Sequence, residues 1–287
     1  MSDYLFAVLF GIIEGITEFL PVSSTAHLRI VKPLCGISLE DPYWKMFDVV
    51  IQLGAVLCLP VYFRKRIHEF IRTFPHGADG TRTAWNHPVT LVLLAFFVTA
   101  VPAFLLSKVI SENLESLSVI GASLLIGGAV MWAVDALWQK PRTLDVAAMH
   151  WTQAVWIGAV QVLAAVFPGA SRSMTTIAAG QTAGLSREAA LEFSFFLAIP
   201  TMLAATSYDL LKTVLGTDGG AGDAGLAPAA MNGHQWLTLA IGFVVSFFVA
   251  WAVVAWFMAW VRRHGFVPFA IYRILLGLGI LGWLYMR

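Results

Sequence analysis

At 287 residues, with 59% hydrophobic and only 12% charged side chains and a mean hydropathy of +0.77, the chain is far more apolar than a soluble domain, in which about a quarter of residues are charged. A formal net charge of +1 leaves no basic field for nucleic acid, and two cysteines, Cys35 and Cys58, give neither a disulfide framework nor a metal spacing. Long apolar windows with short polar joints point to an all-α, polytopic membrane protein and exclude a barrel, whose strands would alternate over roughly 10 residues.

In chain order, the N-terminal MSDYLFAVLFGII has no Lys or Arg ahead of its apolar run and no small-residue cleavage site, so it is expected to stay in the mature fold. The first apolar stretch, Leu5 to Val31, is interrupted at Pro21, and a later one, Val155 to Leu185, at Pro168 and Gly169. Proline lacks the N–H and clashes with the preceding turn, so a helix stops or kinks there, and both stretches suit re-entrant hairpins. Six other segments are predicted to span: Met46 to Phe63, Thr90 to Leu106, Val119 to Trp138, Phe193 to Leu211, Trp236 to Trp260 and Val267 to Tyr285. Each is close to or above the roughly 17–25 residues that cross hydrocarbon. The Gly/Ala/Asp-rich segment Gly216 to Gly233 is expected to be a flexible outer loop.

The two interruptions are related. A shift of 147 residues pairs Gly11 with Gly158, Glu14 with Gln161, Pro21 with Pro168, Ser24 with Ser171 and Ile30 with Ile177, and a shift of 146 lays FDVVIQLGA on FSFFLAIPT. This reads as an internal duplication within one membrane domain, residues 1–287, with halves at about 1–140 and 147–287. One hairpin and three spans per half invert the second half relative to the first, the arrangement in which interrupted helices meet at a binding site. With the Phe63 end of the first span inside, the inner joints carry Arg64, Lys65, Arg66, Arg72, Arg82, Lys140, Arg142, Arg187, Arg262 and Arg263. The outer joints and termini carry only Arg29, Lys32, Lys45, Lys108, Lys212 and Arg287, so both termini are expected outside.

The chemistry concentrates at the interruptions. Glu14 and Glu18 lie four residues apart on one helix face, and two carboxylates that close in a dry site share either a proton or a cation. After Pro21, the run Ser23, Ser24 and Thr25 suits a helix N-terminus that favours an anion, and His27 lies one turn past Ser24, where it could take a proton from a hydroxyl or a water. The second interruption offers Ser171, Arg172 and Ser173 in the same way, with a guanidinium suited to bidentate phosphate binding. Gln52, Glu192, Ser194, Asp209 and Arg273 are further polar groups in apolar runs, for which hydrogen bonding between helices is the ordinary role.

These motifs resemble those of the bacterial undecaprenyl-pyrophosphate phosphatases: EGITEFLPVSSTAH from Glu14 to His27, FDVVIQLGA from Phe47, PGASRSMTT followed by LEFSFFLAIP up to Pro200, and FVPFAIYR ending at Arg273. The resemblance spans essentially the whole chain. It implies removal of the terminal phosphate of undecaprenyl pyrophosphate, the spent lipid carrier of cell-wall synthesis, in the bacterial plasma (inner) membrane, and an association with bacitracin resistance. It implies functional roles for Glu14, Glu18, Ser24, His27, Ser171, Arg172 and Thr176. Ala26 and Met174 stand where the family often has glycine, which alters packing beside reactive groups and removes none. The histidine pair and Lys/Arg/Arg signature of other membrane phosphatases do not occur, since His68, His76, His87, His150, His234 and His264 fall in loops or near joints.

The expected mechanism follows. Glu14, Glu18, Ser24, His27 and Arg172 are the catalytic set, and Ser23, Thr25, Ser171, Ser173, Thr176 and Gln52 are placed around the substrate. Glu14 and Glu18 hold a divalent metal, Mg2+ or Ca2+. Ser24, activated by His27, attacks phosphorus, or His27 or a glutamate activates water directly. The partners are a prenyl pyrophosphate lipid and the surrounding membrane lipids, with a homodimer allowed. The rival reading is an inverted-repeat transporter or flippase for an anionic lipid phosphate.

Overall fold

The computed structural model describes residues 2–78, 80, 82–107, 110, 116–215 and 231–286, the side chains of 212–215 excepted. Within these residues the chain is all-helical, with one isolated bridge between Thr143 and Leu185. Residues 216–230 of the expected outer loop, with Lys108, Arg287 and the Lys212 side chain, lie outside the described residues.

The helices start where the sequence supplies caps. In α3, Pro42–Tyr62, proline fills the first turn and the Asp41 carboxylate accepts from Tyr43 N at 2.8 Å. In α10, Gly233–Val261, Asn232 and Gln235 form a reciprocal capping box, Gln235 N to Asn232 Oδ1 at 2.9 Å and Asn232 N to Gln235 Oε1 at 3.0 Å. The other long helices are α5, Pro88–Leu105, α6, Leu117–Leu137, α9, Arg187–Leu215, and α11, Val267–Tyr285. Six helices are thus long and apolar enough to cross a membrane, each overlapping one of the six predicted segments. The chain is a multi-pass membrane protein. One element escaped the pattern: α4, Arg64–Thr73, is a short amphipathic helix that carries the RKR run and His68, where a plain joint was expected.

Each interrupted stretch is a pair of short helices around a break. The first is α1, Asp3–Thr17, and α2, Ser24–Leu34; the second is α7, Trp151–Val166, and α8, Arg172–Thr182. The packing partners correspond across the halves: α1 and α3 lie on α10 as α7 and α9 lie on α5, while α6 and α11 pair with each other. Gly11 and Gly158 make this visible in atoms. A Cβ on Gly11 would meet Gly242 O at 2.9 Å and one on Gly158 would meet Ala95 O at 2.5 Å, so both helices need glycine to approach their partners.

The register changes inside the break. Among the described residues Ser23 and Ser171 are the non-glycine residues with positive φ, at 72° and 70°, and each accepts a backbone N–H three residues on, from Ala26 and Met174, at 3.4 Å. The structural counterpart of Ser171 is therefore Ser23, not Ser24 as the uniform shift suggested. The second break holds one more residue between its proline and its serine, because Gly169, at φ 89°, adds a turn residue over the Ile120 carbonyl. Ser24 accordingly corresponds to Arg172.

Candidate active site

The two breaks meet. Glu14, 2% exposed, and Glu18, also buried, project from the end of α1 one helical turn apart. Glu18 is bracketed from both halves: the Ser24 hydroxyl donates to its Oε2 at 2.5 Å, and Arg172 Nη2 stands 3.5 Å from its Oε1. Arg172 is positioned by its Nη1, which donates to Ser194 O at 3.1 Å, and by the Phe19 ring, 5.7 Å beneath the guanidinium. What remains open defines the site. Arg172 Nε and Nη2 are buried donors with no hydrogen-bond acceptor, and Glu14 Oε1 is a buried acceptor with no donor. Buried polar groups are normally satisfied, so these atoms are candidates to meet a bound ligand.

Around this centre, the second set of polar residues holds the backbone. Ser173 donates to Leu20 O at 2.9 Å, tying α8 to the first break. Thr176 bonds Arg172 O at 2.8 Å and shares a hydrogen bond with the Ser194 hydroxyl at 2.7 Å, bracing the residue whose carbonyl holds Arg172. Ser23 and Ser171 cap their own helices. Thr25 is exposed and Gln52 half-buried, and neither forms a hydrogen bond to the site among the described residues.

The expected contact between His27 and Ser24 is absent, and both partners are otherwise engaged. Ser24 turns to Glu18, whereas His27 Nδ1 lies 2.7 Å from Ser23 O and Nε2 lies 2.6 Å from the Tyr272 hydroxyl, with the rings nearly parallel at 4°. A carbonyl only accepts, so Nδ1 carries the proton and in the neutral ring Nε2 accepts from Tyr272. In this geometry the hydrogen-bond partner of the Ser24 hydroxyl is Glu18, while His27 is held by Ser23 O and Tyr272.

Arg273 is the residue whose importance the sequence did not disclose. It is 0% exposed, and its guanidinium donates to Pro21 O at 3.1 Å, Ser123 O at 3.2 Å, and Gly169 O and Ala170 O at 3.0 Å each. One side chain from α11 therefore clasps both breaks and α6. Gly127 leaves the room: a Cβ there would strike Arg273 Nη2. Its partners are carbonyl dipoles, and no carboxylate pairs with it among the described residues. Only its place at the end of FVPFAIYR hinted at more than a helix-to-helix bond.

The two adjacent carboxylates suit a Mg2+-like ion, which takes one or two carboxylates and completes its shell with water and substrate phosphate; the unpartnered Glu14 Oε1 fits that use. Among the described residues no third His, Cys, Asp or Glu joins them, so the pair would hold such an ion only together with a ligand.

A family model described as bacitracin resistance protein BacA matches residues 7–279. The chain is 59% identical over 288 residues to an undecaprenyl-diphosphatase of Koribacter versatilis, with 100% of both chains covered. It is 42% identical over 278 residues to one of a Bradyrhizobium species, covering 96% of each, and 38% identical over 286 residues to one of Rhizobium etli, covering 98% of this chain and 97% of the relative. The clasped pair of breaks thus belongs to a recognised lineage, and this chain is a member of the bacitracin resistance protein BacA family.

Proposed function

We infer that the chain hydrolyses undecaprenyl pyrophosphate to undecaprenyl phosphate and inorganic phosphate. The observation that carries the reading is the meeting of a hydroxyl–carboxylate pair, Ser24 and Glu18, with the unpartnered Nε and Nη2 donors of Arg172. Phosphoryl transfer requires positioning and charge stabilisation above all, and this site offers both. The relatives' shared name favours hydrolysis over the transporter reading.

In the proposed reaction the terminal phosphate lies against Arg172, whose free N–H groups donate to its oxygens, and the Arg273 cation adds to the positive field. Ser24 Oγ forms the bond to the terminal phosphorus as its proton passes to Glu18. The bridging P–O bond breaks, and undecaprenyl phosphate leaves. Water then cleaves the phosphoserine, releasing inorganic phosphate and returning the proton to Ser24. The 2.5 Å bond between Ser24 and Glu18 supports this route over direct attack by water. Glu14 and Glu18 would hold a divalent ion, Mg2+ or Ca2+, which when bound would neutralise phosphate charge. His27 holds the Ser23 carbonyl and thereby the break. Thr176 and Ser173 position Arg172, and Ser171 keeps α8 capped.

We read the breaks as re-entrant hairpins in an inverted repeat, supported by the corresponding helix partners of the two halves. The excess of Lys and Arg at one set of joints supports the site opening outward, with both termini outside the bacterial inner membrane. A homodimer remains an expectation, checked by cross-linking in native membranes. The function is tested by phosphate release from prenyl pyrophosphates by detergent-solubilised protein, with no gradient and with Mg2+, Ca2+ or chelator. Turnover that survives purification supports it; binding without phosphate release contradicts it. Full activity in excess chelator would remove the metal alone.

A further inference from the structure

A cavity of about 570 Å³ opens where α6 and α10 end and α9 begins, lined among others by Trp138, Leu144, Leu185, Arg187, Arg262 and Arg263. It lies beside the C-terminal end of α8, whose first residue is Arg172, so about ten residues of helix, roughly 15 Å, separate the two ends. Its arginines are arranged for a ligand in different ways. Arg187 is oriented in advance: Nε donates to Asp135 Oδ1 at 2.6 Å and Nη2 to Asp135 O at 3.2 Å. Asp135, itself buried, is fixed further by Gln181 Nε2 at 3.2 Å and Phe266 N at 3.0 Å. Nη1 of Arg187 has no acceptor among the described residues. Arg262 pairs through Nε with Glu188 at 2.9 Å, and Arg263 makes no ion pair among the described residues.

The lining therefore carries three guanidiniums and one carboxylate, with Lys140 and Arg142 in the neighbouring joint. Ordinary basic joints scatter their charges in water. Here they converge on a cavity whose walls also include Leu144, Leu185 and Val261, with Leu144 and Trp138 exposed. A guanidinium cluster fits a phosphate oxyanion, and apolar walls beside it fit the glycerol and first methylenes of a lipid. Its hydroxyl and its carboxylate are not joined as Ser24 and Glu18 are: Ser186 donates to Leu144 O at 3.4 Å and Glu188 pairs with Arg262, an arrangement that suits binding and not turnover.

We propose that this cavity is a binding site for the phosphodiester headgroup of an anionic membrane lipid, distinct from the site that hydrolyses pyrophosphate. Lipid-stripped protein in neutral detergent, titrated with phosphatidylglycerol or phosphatidylcholine, tests it by native mass spectrometry and thermal unfolding. Phosphatidylglycerol should remain bound and raise the unfolding temperature, whereas phosphatidylcholine should not. R263Q should weaken binding about fivefold and R262Q/R263Q roughly 25-fold. Pyrophosphatase activity in lipid-free detergent should be unchanged in both variants, which shows that they fold. Equal binding by wild type and the double variant, or equal binding of the two lipids, overturns the proposal. So does equal stabilisation by inorganic phosphate, which would make this a site for the free ion.

Discussion

At the first break Ser23 turns the chain at φ 72° and α2 begins with Ser24; at the second Ser171 turns it at φ 70° and α8 begins with Arg172. One position in a common scaffold thus holds a hydroxyl in one half and a guanidinium in the other, and each reaches a different oxygen of Glu18. The helices leading in differ as well. Glu14 and its counterpart Gln161 each keep an unpartnered Oε1, but Gln161 also donates from Nε2 to Thr99 at 3.0 Å and to Thr201 at 3.4 Å. Where the first half has Glu18, the second has Ala165. The comparison teaches that two similar breaks differ by a few side chains. In the proposed reaction the first break would supply the proton acceptor and the second the anion binder, so neither would suffice alone.

Removing the second half's contribution should have the largest effect. Arg172→Ala is expected to lower kcat by on the order of 10³-fold, measured as phosphate release by protein that still elutes as a folded particle. Glu18→Gln, which keeps the shape and removes the proton acceptor, should cost on the order of 10²- to 10⁴-fold. The clasp comes next. Arg273→Met strands carbonyls from both breaks, each costing about 1–3 kcal/mol when buried unsatisfied, so unfolding temperature and activity should fall together. Gln161→Leu sharpens the asymmetry. It should lower stability by about 1–3 kcal/mol and leave kcat within about twofold, whereas Glu14→Gln should abolish most turnover. Smallest of all, Tyr272→Phe removes the bond to His27 Nε2 and should change kcat by only about two- to fivefold, because His27 makes no hydrogen bond to Ser24.

Much of this was legible in the sequence. The six long helices follow from apolar length alone, and prolines marked both breaks because a missing N–H is a local property. Glu14, Glu18, Ser24 and Arg172 stood out because charge and hydroxyl at membrane depth are costly. Pairings across the chain were not legible. His27 lies 245 positions from Tyr272 and Arg273 lies 252 from Pro21, and no local pattern encodes which way a side chain turns over such separations. The register of the breaks was misread for a different reason: the first break offers two serines, Ser23 and Ser24, and only the backbone conformation shows that Ser23 matches Ser171. The amphipathic α4 was hidden by its charge, which reads as a solvated joint.

The central claim is that Ser24 and Arg172, from opposite halves, act as one unit through Glu18. A double-mutant cycle on phosphate release by purified protein, with Ser24→Ala, Arg172→Lys and the pair together, tests it most directly. Residues that act as a unit give a double variant little slower than the worse single variant, and that is the predicted result. If the two losses simply multiply, the two breaks act independently and the shared site is contradicted.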